Sequence, residues 1–459
     1  MLAYLLSLLS LPLPAVSPRT IYVPDDYSTI QGAVDAASPG DMIVVRDGIY
    51  YESITINKPI TIKAENIGKT IIDAQGSKGI TITANGATIN GLTVRNALSG
   101  MFLYSSRNRI INCMLNNDEG GISLFYSSNN TIINCTLNNI DTYGIYLYFA
   151  SNNYIENFII NNSHTGMFLY YSYNDTIINF TIENSKHAGM EIVYSDNNII
   201  VSGTISNIDC YGMYLTYSSN NDIVNLIINS NGWPGIFLRQ SKNNTIVNCT
   251  IRDNYDGICL HNSSSNNRII NCIISNNNEN GICLKLSSNN NTIANCSITN
   301  NLEHGIMLDS SNNNTVVNCT LAGSKYGVYL IYCSGNIFYL NNFFNNTNHV
   351  GLDGAGMNYW NSTRKLTYYY DGKRFTSFLG NYYSDYSFTD SNSDGIYDSQ
   401  RVFDANNIDY CPLVTPTWQH LPMKKLESRQ WLDWVWTEAV AIITIIVITS
   451  IIIVTRIKK

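Results

Sequence analysis

One stretch of the sequence decides the fold: Gly144-Ile-Tyr-Leu-Tyr-Phe-Ala-Ser151-Asn-Asn-Tyr-Ile-Glu-Asn157-Phe-Ile-Ile160-Asn-Asn-Ser-His-Thr165. It holds three short runs of alternating apolar and polar residues, separated by turns rich in Asn and Ser. Alternation with a period of two is typical of strands that bury one face. Runs this short cannot build a sandwich of hairpins, and they leave no room for a crossover helix.

The same unit repeats along the chain. Its first glycine recurs at intervals of 21 to 24 residues, at Gly100, Gly121, Gly144, Gly166, Gly189, Gly212, Gly235, Gly257, Gly281, Gly305 and Gly327. A chain that stacks three short strands per period forms a β-helix, in which each strand pairs with its equivalents at about 4.8 Å. The predicted fold class is therefore all-β, a right-handed parallel β-helix with an N-terminal cap helix and one C-terminal transmembrane helix.

Two columns of equivalent positions are predicted to face inward. One is rich in asparagine, and its amides are expected to form a buried ladder along the stack. Asn134 and Asn248 of this column lie in glycosylation sequons but should then be inaccessible. The other column alternates Phe and Leu with six cysteines, which we expect to pack as free thiols: Cys113, Cys135, Cys249, Cys272, Cys296 and Cys319.

Both ends of the chain carry membrane signals. Residues 1–17 are mostly apolar and end in small residues, which predicts a signal peptide. Residues 435–455 are long and apolar enough to span a bilayer, and the cations after them place residues 456–459 in the cytoplasm. The predicted location is the cell membrane, with a single span and an extracellular β-helix.

Three regions are expected between these signals. The β-helix with its N-terminal cap covers residues 18–345, a C-terminal capping region covers 346–415, and a juxtamembrane linker covers 416–434. The cap is predicted as a short amphipathic helix that begins at a capping box of Ser28 and Gln31.

The composition argues against nucleic-acid binding. Charged residues make up 13% of the chain, the formal net charge is −7, and no basic run occurs. A polar but largely uncharged surface suits a neutral partner such as a polysaccharide or cell-envelope glycan.

Three stretches carry a family resemblance. The segment Ile21-Tyr-Val-Pro-Asp-Asp-Tyr-Ser-Thr-Ile-Gln31 resembles the start of pectate-lyase-like proteins. The Asn-rich repeats, with Gly380-Asn-Tyr-Tyr-Ser-Asp-Tyr386 and Asp409-Tyr-Cys-Pro-Leu413, are similar to NosD-type β-helix proteins, the carbohydrate-binding and sugar-hydrolase repeat group. The resemblance covers roughly residues 20 to 415 and implies the fold, but the group includes enzymes, accessory proteins and surface proteins. It implies copper-enzyme maturation in some members, and no Met/His cluster stands out here to carry copper.

An acidic loop near the end of this region suggests calcium. Asp390, Asn392 and Asp394 alternate ahead of a glycine, as at the start of a calcium-binding loop, and Asp398 follows. Arg401 stands where an EF-hand has its bidentate glutamate. A bound ion would lock the C-terminal cap, and an Asx-rich turn is the alternative.

Cys259 and Cys283 form a candidate disulfide. They occupy the outward position of Gly-Ile-Cys-Leu in adjacent coils, where a Cα spacing of ~4.8 Å falls within disulfide range. Two free thiols are the alternative.

The glycine-led strand also presents an aromatic stripe. Its outward positions hold candidate glycan-binding residues in the early coils: Phe102, Tyr104, Phe125, Tyr146, Tyr148, Phe168 and Tyr170. Exposed aromatic surface of this extent usually marks a contact site. The alternative is that the rings pack only on one another.

On the same face, the later coils carry ionisable residues. Candidate catalytic residues are Arg239, Asp256, His261, Lys285, Glu303 and Asp309. A glycosidase needs two carboxylates, and a lyase needs a base and a cation. A solvated, self-balancing charged face is the alternative.

Three functions follow as hypotheses. The first is a non-catalytic surface protein that binds glycans or builds the envelope. The second is an anchored polysaccharide hydrolase or lyase. The third is an accessory protein for a metalloenzyme.

Overall fold

The computed structural model describes residues 17–420, which form a parallel β-helix with three faces. Equivalent residues of successive coils lie in register: Ile145 pairs with Met167, and Met167 pairs with Met190. The predicted solenoid is therefore confirmed. The predicted signal peptide, apart from its last residue, and the predicted transmembrane helix and tail lie outside the described residues.

The strands fall into three stacks, and the long ones turn a corner from one stack into the next. The first face contains Thr20–Val23, Met42–Val45, Thr61–Ala64, Thr88–Asn90, Arg109–Ile111, Thr131–Ile133, Tyr154–Tyr170, Thr176–Glu183, Ile199–Ser206, Asp222–Val224, Thr245–Val247, Arg268–Ile270, Thr292–Ala294, Thr315–Val317 and Ile337–Tyr339. The second face adds Gly48–Tyr50, Thr70–Asp73, Thr93–Arg95, Met114–Asp118, Thr136–Tyr148, Ile227–Asn229, Thr250–Arg252, Ile273–Ser275, Ser297–Thr299, Thr320–Ala322, Asn342–Phe344 and Tyr382–Tyr383. The third face adds Ile54–Ile56, Lys78–Ile82, Ser99–Leu103, Ile122–Phe125, Ala188–Val193, Tyr211–Thr216, Ile236–Arg239, Ile258–His261, Asn280–Lys285, His304–Asp309, Tyr326–Ile331 and Asn348–Asp353.

The core is a continuous apolar column inside the coils. Every second residue of a strand points into the core. Ile155, Ile177 and Ile200, which occupy the same position in three successive coils, are fully buried. The column with six cysteines is also buried, and its thiols are free. In the coils between them the column is filled by other apolar side chains, such as Phe158 and Phe180, whose rings stack at 5.4 Å. The predicted inward thiols are confirmed.

The N-terminal cap is the helix Ile30–Ala36. Its apolar residues Ile30, Ala33 and Val34 are buried, as the pattern predicts. The N-cap is Thr29, whose hydroxyl accepts a hydrogen bond from the Gly32 N–H, so the predicted start at Ser28 was one residue early. The Glu52 carboxylate accepts the next free N–H groups, from Ile30 and Gln31.

The predicted asparagine ladder exists but lies at an exposed corner. Asn134 Nδ2 donates to Asn112 Oδ1 at 3.0 Å, and Asn157 Nδ2 donates to Asn134 Oδ1 at 3.2 Å. These residues have φ near +55°, the left-handed region that asparagine tolerates best among non-glycine residues, and they turn the chain between two faces. Asn134 and Asn248 are exposed, so the expectation that they are buried was wrong.

A second column forms the buried ladder. Its members are almost fully inaccessible and stand just before the first-face strands: Asn108, Asn130, Asn153, Asp175, Asn198, Asn221, Asn244, Asn267, Asn291, Asn314, Asn336 and Asn358. Each side-chain oxygen accepts a backbone N–H of the coil before it, as Asn244 Oδ1 does from Asn221 N at 2.9 Å. Buried polar groups must find partners, and this ladder supplies them at every turn.

The C-terminal end of the solenoid is covered by an irregular segment. Trp360 stacks on Phe338 at 4.6 Å and Tyr383 on Phe343 at 5.0 Å, so aromatic rings close the last coils. Two antiparallel hairpins pair Leu366–Tyr370 with Lys373–Ser377, and Arg401–Val402 with Ile408–Asp409; a 3₁₀ turn, Thr417–Gln419, follows them. Within residues 17–420 no helix has the length and apolar character needed to cross a membrane.

Candidate functional site

The candidate site is the outer side of the third face. From Gly100 to Gly327, each coil has a glycine at or next to the beginning of its third-face segment, because there is no space for a side chain there. A Cβ on Gly144 would lie 2.6 Å from the Gly166 carbonyl oxygen of the next coil. After the glycine, Ile145 and Leu147 point into the core and are fully buried. The residues between them therefore point outward.

Three neighbouring columns of rings form what we call the aromatic face: Phe102, Tyr146 and Phe168; Tyr104, Phe125, Tyr148 and Tyr170; and Tyr126, Phe149, Tyr171, Tyr194 and Tyr217. Rings stack along each column, as Tyr146 does on Phe168 at 5.2 Å and 6°, and Tyr148 on Tyr170 at 5.6 Å and 9°. Columns also meet edge to face, as at Tyr148 and Phe149. The predicted candidate residues therefore lie side by side on one surface.

Stacking determines which part of each ring faces the solvent. Neighbours cover the ring planes, so edges and hydroxyl groups point outward. Burial raises the pKa of Tyr146, and a hydrogen bond with Tyr126 raises the pKa of Tyr148. These phenols are consequently neutral hydrogen-bond groups at physiological pH, set in an apolar surface.

The third column was missed from the sequence. Its residues directly follow the strand and have φ near +50°, so they belong to the corner rather than to the alternating pattern. Tyr126 is 67% exposed and Tyr217 is 44% exposed, which makes this column the most accessible part of the face. A run of aromatic residues at one position of five successive coils was the available signal.

The predicted ionisable column also forms. Arg239 pairs in register with His261, His261 with Lys285, and Lys285 with Asp309, one residue per coil. Burial lowers the pKa of His261, whose Nδ1 is buried and has no hydrogen-bond partner among residues 17–420. These four side chains follow the aromatic face along the same surface.

The candidate carboxylates Asp256 and Asp309 are not brought together. Asp256 and Asp309 stand two coils and five strand positions apart, about 10 Å across the sheet and about 16 Å along it. That exceeds the ~5 to 9.5 Å between the carboxyl groups of glycosidases. Glu303 forms an ion pair with Lys325 at 2.7 Å, and this hydrogen bond lowers its pKa.

Asp256 instead belongs to a buried polar network. Its Oδ1 accepts hydrogen bonds from Asn280 N at 3.0 Å and Asn280 Nδ2 at 2.8 Å. The Asn280 amide oxygen lies 2.6 Å from His304 Nδ1 in the following coil, so the ring nitrogen donates there. The ring of His304 stacks on Tyr329 at 4.8 Å.

Two cysteines lie against this network. Cys259 and Cys283 pair in register and are 3% and 0% exposed, although they do not belong to the core formed by Ile258 and Leu260. The Cys283 thiol donates to Asp256 Oδ2 at 3.8 Å. Both thiols are free.

The carboxylate groups of the acidic loop accept hydrogen bonds from within the loop itself. Asp390 accepts hydrogen bonds from the N–H groups of Asp394 and Gly395, and Asp398 accepts from Ser391. Asn392 Oδ1 also accepts the Asp394 N–H at 3.0 Å. This is the Asx-turn alternative, and the calcium expectation gains no support.

These coils define a class: the chain is a right-handed parallel β-helix repeat protein. Residues 78–226 and 120–270 match the family described as "Right handed beta helix region". Residues 201–388 match the family described as "Periplasmic copper-binding protein (NosD)". The predicted resemblance to NosD-type β-helix proteins is thereby confirmed.

Individual relatives are distant. A stretch of 108 residues is 29% identical to a cell surface glycoprotein of Methanothermus fervidus, and it covers 23% of this chain and 17% of that protein. The A-module of the mannuronan C-5 epimerase AlgE4 of Azotobacter vinelandii superposes with a TM-score of 0.54 at 15% identity, covering 73% of this chain and 98% of that one. The catalytic domain of a GH87 α-1,3-glucanase gives 0.48 at 15% identity, covering 70% and 67%. At these identities the structural likeness shows the fold alone.

Proposed function

We propose that this protein is an extracellular, membrane-anchored β-helix that binds a neutral glycan along its aromatic face and does not alter it chemically. The observation that carries the proposal is the set of three adjacent ring columns on one surface. Tyr side chains combine apolar area with a polar tip, and sugars present C–H faces and hydroxyl groups in the same way. The columns run parallel to the solenoid axis, so they suit an extended chain.

Charge supports a neutral ligand. Glu191 is the one carboxylate in the two outward columns between Phe102 and Thr216, and burial raises its pKa. A polyanion such as a uronate polymer would find no row of cations over these coils. The continuous run of ionisable residues begins at Arg239, beyond the aromatic face.

The location rests on sequence signals and one relative. The predicted signal peptide and the apolar segment 435–455 support export and anchoring. The cell surface glycoprotein of Methanothermus fervidus is similar over 108 residues of this chain, which supports a place at the cell surface.

The test compares binding of the wild-type chain with a Tyr148→Ala/Tyr170→Ala variant on a neutral-glycan array and on envelope polysaccharide. We expect a loss of at least tenfold in affinity, because both rings and their hydroxyls leave the centre of the face. Tyr332→Ala is the matched control: Tyr332 occupies the corner position of a later coil, is 68% exposed and lies outside the aromatic face. Equal binding by all three proteins would remove the aromatic face from the proposal, and release of reducing ends from the glycan would overturn the non-catalytic role.

A further inference from the structure

Asp256, Cys259 and Cys283 form a compact donor cluster on the outer side of the third face. A carboxylate oxygen and the two Sγ atoms all lie within 4.8 Å of one another, and all three residues are buried. Among residues 17–420 this is the one group of three such side chains that close. Its chemistry is independent of glycan binding.

The fold explains why the donors converge. Cys259 and Cys283 are in-register partners on strands one coil apart, so the ~4.8 Å strand spacing sets their separation. The Asn280 backbone and amide N–H groups hold Asp256 Oδ1, which leaves Oδ2 directed to the Cys283 thiol. The carboxylate is therefore oriented before any ligand binds.

We propose that this cluster binds one thiophilic metal ion, with Cys259, Cys283 and Asp256 as its protein ligands. Binding releases the two thiol protons, and each sulfur forms a bond to the metal. Two thiolates and a carboxylate carry three negative charges. A divalent ion and the Lys285 ammonium, which interacts electrostatically with all three ligands, balance them.

The donor types restrict the ion. Thiolates select zinc(II) and copper(I) over calcium or magnesium, and a carboxylate in the set favours zinc(II). Copper(I) would use the two sulfurs, with Met307 in register beyond Cys283 as a further soft donor. The matched family description names copper, and the experiment has an arm for each ion.

The competing state is a disulfide between the two cysteines. In-register Cα atoms at about 4.8 Å allow it, and an oxidising compartment would favour it. A disulfide would remove both thiolate ligands, so the two states exclude each other and can be separated by mass.

The experiment uses the reduced, metal-free full chain. Zinc(II) and, under anaerobic conditions, copper(I) are titrated in competition with colorimetric chelators, and Tm is measured with and without each ion. We expect one equivalent of one ion to bind and to raise Tm. Cys259→Ser/Cys283→Ser should lose it, while Cys259→Ser alone and Asp256→Asn should bind at least tenfold more weakly.

Cys333→Ser is the matched control. Cys333 is buried in a column that other coils fill with serine, such as Ser288 and Ser311, so this variant removes one thiol at a site that tolerates the change. It should bind like the wild type. Absence of stoichiometric binding, unchanged binding in the double variant, or a persistent Cys259–Cys283 disulfide in the purified chain would overturn the proposal.

Discussion

The Asp175 carboxylate accepts two hydrogen bonds from Asn153, one from the backbone N at 2.8 Å and one from Nδ2 at 3.0 Å. In the neighbouring coils an asparagine fills this rung of the buried ladder. The second oxygen of Asp175 is buried and has no hydrogen-bond partner among the described residues. Burial raises the pKa of Asp175 to about 7.

Asp175→Asn should stabilise the protein. In the unfolded chain this carboxyl group ionises near pH 4, whereas in the folded state it keeps its proton up to about pH 7. The folded state thus loses stability as pH rises through that window, and the loss is complete above it. We expect the variant to gain roughly 2–4 kcal/mol in free energy of unfolding at pH 8 and little at pH 4, measured by urea denaturation.

Asn198→Asp is the reverse substitution one rung away. Asn198 Nδ2 donates to the Ser172 carbonyl at 3.2 Å, and a carboxylate cannot make that bond. The variant should lose stability, and lose more at pH 8 than at pH 4. Effects of equal size at both pH values would show that ionisation of the rung is not the cause.

Asp409→Asn, unlike Asp175→Asn, should destabilise the protein. This buried carboxylate accepts hydrogen bonds from Asn381, from the Tyr383 hydroxyl at 3.1 Å and from Cys411 N at 3.0 Å, using both oxygens. In Asp409→Asn one of these donors must face an NH₂ group. We expect a loss of about 1–3 kcal/mol in free energy of unfolding; a gain would mean that the charge outweighs the hydrogen bonds.

Substitution by alanine should have very different effects on stability at the adjacent residues Gly120 and Gly121. A Cβ on Gly121 would overlap the Gly144 carbonyl oxygen of the next coil, and that backbone atom cannot move aside. A Cβ on Gly120 would meet nothing closer than 3.6 Å. We expect Gly121→Ala to lower the free energy of unfolding by about 3 kcal/mol or more and Gly120→Ala to change it by less than about 1 kcal/mol. Similar values for both would contradict the close approach of coils along the glycine column.

Calcium should leave the C-terminal cap unchanged. The oxygens of Asp390 and Asp398 already accept hydrogen bonds from the loop, so an ion would have to displace them. We expect Tm to shift by less than about 1 °C between EDTA and millimolar CaCl₂. A shift of several degrees, abolished by Asp394→Asn, would restore the calcium site.

The fold was predictable because its signals are repeated. One Gly-apolar-x-apolar unit is weak evidence, but its recurrence from Gly100 to Gly327 places equivalent residues above one another without any knowledge of contacts. The inward thiols followed from the same register, since Cys249 shares its column with Phe158 and Leu226.

The sequence pattern could not show which of the two asparagine columns is the buried ladder. Asn130 and Asn134 lie four residues apart, at the two ends of the strand Thr131–Ile133, and residue type does not separate them. The difference is conformational: Asn134 has φ of +56° and turns outward at the corner, while Asn130 points inward. The burial of Cys259 and Cys283 was missed because strand alternation places them outward. In the structure both are buried, and the Asp256 carboxylate contacts the Cys283 thiol.

The ladder also bears on how the length of this protein can change. Asn221 donates its backbone N–H to the side-chain oxygen of Asn244, and Asn244 donates in the same way to Asn267. If one whole coil is deleted or duplicated, the ladder residues that meet at the junction can form the same hydrogen bond. Unequal recombination between repeats of the gene can therefore shorten or lengthen the rod by whole coils while the hydrogen bonds of the ladder are kept at the junction.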